Sequence, residues 1–263
     1  MKKSEKGATL IVVLVVLIMI TIIGVLAIRV ALTSLNISAN AQLGQLLGQT
    51  ADVPLNEFYI SDLSKIFDLS GVIGYALQEN KNEPGKEYIF CYKPTSTEKF
   101  GASLNVTTLR IPDKKDDVAE VSSGGKDGFC DLENDFGSSR KAIVTQVAIK
   151  VISTPTEDVE PGALLQRNMS LSEGTILPRG IADQQRIRVT TTSIVPAYAA
   201  DLKKAQACIG TDATDPGYIN DNTDPDTKDY KTVASCLAGL GVPVNSQTQE
   251  FNLQSIFEQV KAP

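Results

Sequence analysis

The sequence predicts an α+β protein: a long N-terminal helix, transmembrane in its first half, packed on an antiparallel β-sheet, with a disulfide-bounded loop near the C-terminus. Three observations predict it. An apolar run without a charge occupies Ala8 to Ile28, strand-like stretches come only after the helical region, and all four cysteines lie beyond the apolar run. Helices first and strands afterwards, without alternation, is the order of an α+β domain.

The apolar run is broken only by Thr9, Thr21 and Gly24. As a helix of about 21 residues rising about 1.5 Å each it reaches roughly 31 Å, the hydrocarbon thickness of a bilayer. Lys2, Lys3 and Lys6 precede it and Arg29 alone follows closely, so the positive-inside bias keeps the N-terminus cytoplasmic and exports the rest. A cleaved secretory signal would have a shorter apolar core and a small-x-small site, which Leu26-Ala27-Ile28-Arg29 does not supply. An uncleaved anchor fits the hydropathy equally well.

From Val30 to Thr50, Leu32, Leu35, Ala39, Leu43, Leu46 and Leu47 recur at three- and four-residue steps, the spacing of an amphipathic helix whose stripe should lie on the sheet. Pro54 marks its end or a kink, because proline lacks the helix donor and restricts the residue before it. Leu55 to Leu77 reads as a second, shorter helix. Tyr88–Tyr92, Ser103–Ile111, Ala142–Ile152 and Gln185–Val195 read as strands, rich in Val, Ile, Thr or aromatics. Pro112–Lys126 and Pro155–Gly162 are polar connections. Arg186, Arg188 and Thr190 alternate with Ile187 and Val189, which implies one wet face and one packed face.

With 263 residues, the chain has room for one membrane segment and one exported domain with its own core. The formal net charge of -6 offers no basic surface for phosphates, so direct nucleic-acid binding by the domain is disfavoured. There is no His, which excludes Ser-His-Asp, Cys-His and zinc-hydrolase schemes, and no carboxylate or serine-lysine spacing suggests an enzyme.

Cys91, Cys130, Cys208 and Cys236 are an even set in an oxidising compartment if the topology is right. Of the three possible connectivities, Cys91–Cys130 with Cys208–Cys236 closes the two shortest loops. Gly210 to Asp229, rich in Asp, Asn, Pro and Gly, must be a loop. Asn220, Asn222, Asp224 and Asp226 at alternate positions could turn hard oxygens toward a calcium ion. The glycine turn and distal Glu of an EF-hand are missing, and a solvated, turn-rich loop explains the composition as well; no other cofactor is expected.

Lys6-Gly7-Ala8-Thr9-Leu10-Ile11 places a basic residue and a glycine directly before the apolar run. It resembles the prepilin peptidase site, and Gly7 to Leu17 resembles the PilX-type minor pilins of type IV pili. The resemblance implies cleavage after Gly7, a methylated Ala8 as mature N-terminus, a leader of residues 1–7, a membrane and assembly half at 8–28, an amphipathic half at 29–53 and a pilin domain at 54–263. Major pilins carry a glutamate five residues after the cut, where this chain has Val12. A lone carboxylate there costs about 2.5–3.5 kcal/mol on insertion scales unless it pairs with a neighbouring amine. Its absence implies a subunit placed first, at a filament tip.

The K-type pseudopilin of type II secretion shares this absence, and an uncleaved envelope scaffold is a further reading. Gly24 and Ala27 would allow close helix packing. The resemblance further implies an inner-membrane protein with a periplasmic domain before assembly. Its expected partners are other minor pilins, the major pilin, prepilin peptidase, the assembly platform and a tip adhesin, and the 208–236 loop would be its variable partner surface.

Overall fold

The computed structural model describes residues 6–60, 68–80, 82–96, 103–153 and 185–252. The chain divides into two compact units, Met1–Leu46 and Leu47–Pro263. The polar connection Pro155–Gly162 and most of the 1–7 leader lie outside the described residues.

The first unit is helical. Helix α1, Lys6–Ile60, begins in it and ends in the second unit. From Leu10 to Gln42 every described side chain is exposed. The stripe expected on the sheet is therefore corrected: Leu32, Leu35, Ala39 and Leu46 are exposed, Leu43 is half-buried and only Leu47 is buried. The leucine spacing was helical, but the buried stripe starts only at the last of these positions and runs Leu47, Ala51, Leu55, Phe58.

That stripe also explains a second correction. Pro54 sits inside α1 and does not end it. A proline in a helix interior costs about 3 kcal/mol, whereas burying Leu55 and Phe58 stabilises by about 1.5–3 kcal/mol each. Pro54 is itself buried. The turns before Pro54 are also held by hydrogen bonds from sheet side chains: Thr191 Oγ1 donates to the Ala51 carbonyl at 2.7 Å and Gln247 Nε2 to that of Gly48 at 3.3 Å. The single helix expected over Leu55–Leu77 is two pieces, the end of α1 and α2 (Val72–Glu79), with 61–67 outside the described residues.

Among the described residues six strands form one sheet: β1 (Glu87–Cys91), β2 (Thr107–Arg110), β3 (Glu120–Ser123), β4 (Val144–Ser153), β5 (Gln185–Ile194) and β6 (Val244–Asn252). Their order is β3-β2-β1-β4-β5-β6, and every neighbouring pair is antiparallel. The fold is α+β, as the order of sequence signals implies. Two strands were not legible. β3 lies within the polar stretch 112–126, and β6, Val-Asn-Ser-Gln-Thr-Gln-Glu-Phe-Asn, lacks apolar alternation and is held by pairing along the whole of β5.

One face of the sheet carries Tyr88, Phe90, Val147, Ile149, Ile187, Val189 and Phe251 and packs on Leu55, Phe58, Ile73 and Ala76. On the opposite face, Val144 and Ile194 meet α3 (Leu202–Ile209) and α4 (Val233–Gly239). Asp201 caps α3 by accepting from the Lys203 and Lys204 backbone N–H groups, and Thr232 and Ser235 form a reciprocal capping box on α4. The wet face expected from Arg186, Arg188 and Thr190 is thus covered: Arg188 and Thr190 are buried and Arg186 is half-buried. The cover is the Asp-rich segment, which brings its own carboxylates to the buried cations.

Candidate functional site

Four charged residues stand in one row across the sheet, each opposite the next: Glu87 on β1, Lys150 on β4, Arg188 on β5 and Glu250 on β6. Residues 218–230 lie over this row. Glu87 receives the Asn220 and Asp221 backbone N–H groups at 2.8 and 3.0 Å and the Asn220 side-chain amide at 3.2 Å. Lys150 Nζ meets Asp224 Oδ2 at 2.6 Å. The Arg188 guanidinium reaches Asp221, Asp224 and Glu250, each at 2.7 Å, so one cation ties the loop to the edge strand.

The electrostatics follow from burial. Loss of solvent pushes the Glu87 carboxyl above its ordinary range, opposed by its backbone donors and the charge of Lys150. Burial also works against Asp224, but hydrogen bonds from Lys150 and Arg188 outweigh it and hold its carboxyl below the ordinary 3.8. The stability that Asp224 contributes is present above that ordinary value and lost as pH falls through its lower folded value; Glu87 contributes in the opposite sense, favouring the fold at low pH. The stability gap between the native chain and Asp224→Asn is therefore expected to be full near neutrality and to close below about pH 3.8, measured by urea titration at a series of pH values. A gap that persists unchanged at pH 2 to 3 contradicts the pairing.

The residues considered for calcium make separate contacts. Asn220 accepts from Gln146 Nε2 at 2.9 Å through Oδ1, Asn222 donates to the Lys228 and Tyr230 carbonyls, and both Asp224 oxygens are taken by cations. Asp226 is exposed. Among the described residues no group of three or more His, Cys, Asp or Glu is placed to hold a metal ion. The loop is also less solvated than its composition implies, since Ile219, Asn220, Asp221 and Thr227 are buried. Sequence reading missed Glu87, Lys150 and Asp221; the charge inside the strand-like run at 150 was the available signal.

Disulfides join Cys91 to Cys130 and Cys208 to Cys236. The second links α3 to α4 and so closes the segment that carries Asp221 and Asp224. At its start the chain reverses through Gly210 (φ 97°) and Gly217 (φ 67°), where a Cβ on Gly217 would strike the Ile209 carbonyl. Replacing Cys208 and Cys236 together by Ser is expected to cost about 3 kcal/mol for a loop of this size, read as a lower urea midpoint with a slope that rises as the unfolded chain expands. No shift in that midpoint would show that the crosslink does not constrain the unfolded chain.

In the first unit, Gly7 and Ala8 lie in the opening turns of α1. Val12 is 61% exposed, Ala27 is exposed, and a Cβ on Gly24 would meet nothing within 4 Å. The helix is long and apolar enough to cross a membrane, and its most apolar stretch is exposed.

An uncovered apolar helix leading into an antiparallel sheet, with a disulfide-bounded segment toward the C-terminus, defines a membrane-anchored, pilin-like subunit. Residues 6–56 match the family described as PilX N-terminal. Over those residues the chain is similar to the PilX-type pilins of type IV pili. Neither the curated proteins nor the solved structures contain a match to it.

Proposed function

We propose that this chain is a minor pilin that takes part in initiating type IV pilus assembly and sits at the pilus tip with other minor pilins, supporting twitching motility, adhesion or DNA uptake through the filament. The observation that carries the reading is Val12 on an uncovered apolar helix within the family match. A subunit without a carboxylate there cannot pair with the amine of an earlier subunit, so it is suited to being first.

On this reading prepilin peptidase cuts after Gly7, Ala8 is methylated, residues 8–28 hold the chain in the inner membrane and the second unit is periplasmic. Assembly moves the helix from lipid into a bundle of similar helices. Both environments are apolar, so packing at positions such as Gly24 and Ala27, rather than the hydrophobic effect, drives the exchange. Association with the major pilin, the assembly platform and a tip adhesin follows from the same role. N-terminal sequencing of the protein from sheared pili tests the reading: methylated Ala8 is expected, and a chain beginning at Met1, or one absent from pili, defeats it.

A further inference from the structure

The two edges of the sheet are built differently. β3 is four residues long, its register against β2 shifts between Thr108 and Leu109, and it runs directly into Gly124 and Gly125. A short, bulged edge resists the addition of another strand. β6 has none of these protections. It is nine residues long, pairs with β5 in unbroken register from Val244 to Asn252, and contains no Pro, Gly, Lys or Arg. Among the described residues no strand pairs with its outer side.

The edge also states what would fit it. On the loop side of the sheet the charged row reads Glu87, Lys150, Arg188, Glu250, minus, plus, plus, minus. It stops at the edge on Glu250, whose side chain is 35% exposed and whose two oxygens meet Arg188 and Arg186. Beside it, hydroxyl pairs Thr190–Thr248 at 3.1 Å and Thr192–Ser246 at 3.2 Å also stop at the edge. On the helix side the last apolar residue is Phe251, against Phe58. The next strand in such a sheet would place a cation opposite Glu250, hydroxyls opposite Thr248 and Ser246, and an apolar side chain beside Phe251.

We propose that the outer edge of β6 is a docking site for an extended segment of a partner polypeptide, which adds as a seventh strand and sets a Lys or Arg against Glu250. A second copy of β6 does not fit, because no register of this strand supplies a basic residue. Main-chain hydrogen bonds would supply affinity and the residue at Glu250 specificity. The proposal goes beyond the pilus reading and does not depend on it.

The test uses the full chain in detergent micelles and two acetylated nine-residue peptides of alternating Thr and Val, one with a central Lys on the Thr face and its twin with Glu there. The Lys peptide is expected to slow exchange of alternate β6 amides by about tenfold or more. It should bind at least about threefold more tightly than the twin, with the preference falling at high salt. In Glu250→Gln, with folding verified by thermal melting, the two peptides should bind alike. Equal binding of the twins to the native chain, no added protection, protection of every β6 amide before peptide is added, or protection that rises with protein concentration would each overturn the proposal, the last two by showing the edge already taken by this chain or by a second copy.

Discussion

Replacing Arg188 by Leu is expected to cost about 3–5 kcal/mol of folding stability, because it leaves buried carboxylates without their cation. The geometry sets the size of the effect. The Asp221 side chain is 2% exposed and accepts its ion pair from Arg188 alone among the pairs described, whereas Asp224 keeps Lys150 and Glu250 keeps Arg186. Burial by itself disfavours the Arg188 cation, but its hydrogen bonds to Asp221, Asp224 and Glu250 outweigh that and raise its pKa, so it stays charged across the accessible range.

Arg188→Lys should recover only part of the loss, since an ammonium cannot present the fork that reaches three carboxylates. The measurement is urea unfolding of the full chain in detergent, followed through tyrosine in the second unit. A loss below about 1 kcal/mol, the size of an exposed pair, would mean that solvent screens this cluster. A double-mutant cycle with Asp224→Asn should return a coupling of about 0.5–3 kcal/mol, because the two share one network.

Arg188 also illustrates what sequence patterning could and could not carry. The alternation Arg186-Ile187-Arg188-Val189-Thr190 identified the strand and its two faces, because period-two patterning is a property of the strand itself. Whether Arg188 met water depended on Asp221 and Asp224, 33 and 36 positions away in the chain, and no local rule reaches that far. The loop was legible as a loop from its Asp, Asn, Pro and Gly content, yet the same Asp and Asn residues serve as turn formers, metal ligands or ion-pair partners. Only Lys150, Arg188 and Glu87 beneath them select the third use.

The short helices are the opposite case. Asp201 before and Gly210 after bracket Leu202–Ile209, and Thr232 with Ser235 opens Val233–Gly239, so ordinary capping signals were present and went unread. β6 carried no comparable signal, for its stability comes from a full ladder with β5 rather than from apolar side chains. The anchor lay at the other extreme, since length and uninterrupted hydropathy are local quantities and the family match falls on the residues that carried the resemblance.

Phe58→Ala is expected to cost about 3–5 kcal/mol, the range for truncating a buried aromatic. Phe58 is 1% exposed and packs on Phe251 with ring centroids 4.3 Å apart. It joins the last turns of α1 to Phe251 on the edge strand, 193 residues later in the chain (251 − 58), so its contact is long-range. The ring also depends on helix continuity: it lies one turn beyond Pro54, and a helix that ended at Pro54 would not deliver it to Phe251. Phe58→Ala and Phe251→Ala should therefore be less than additive, each removing the same aromatic pair. Pro54→Ala should not destabilise as either does, because alanine restores the helix donor that proline lacks, worth up to about 3 kcal/mol. Full additivity of the two aromatic substitutions would place Phe58 elsewhere in the core and reopen the question of where α1 ends.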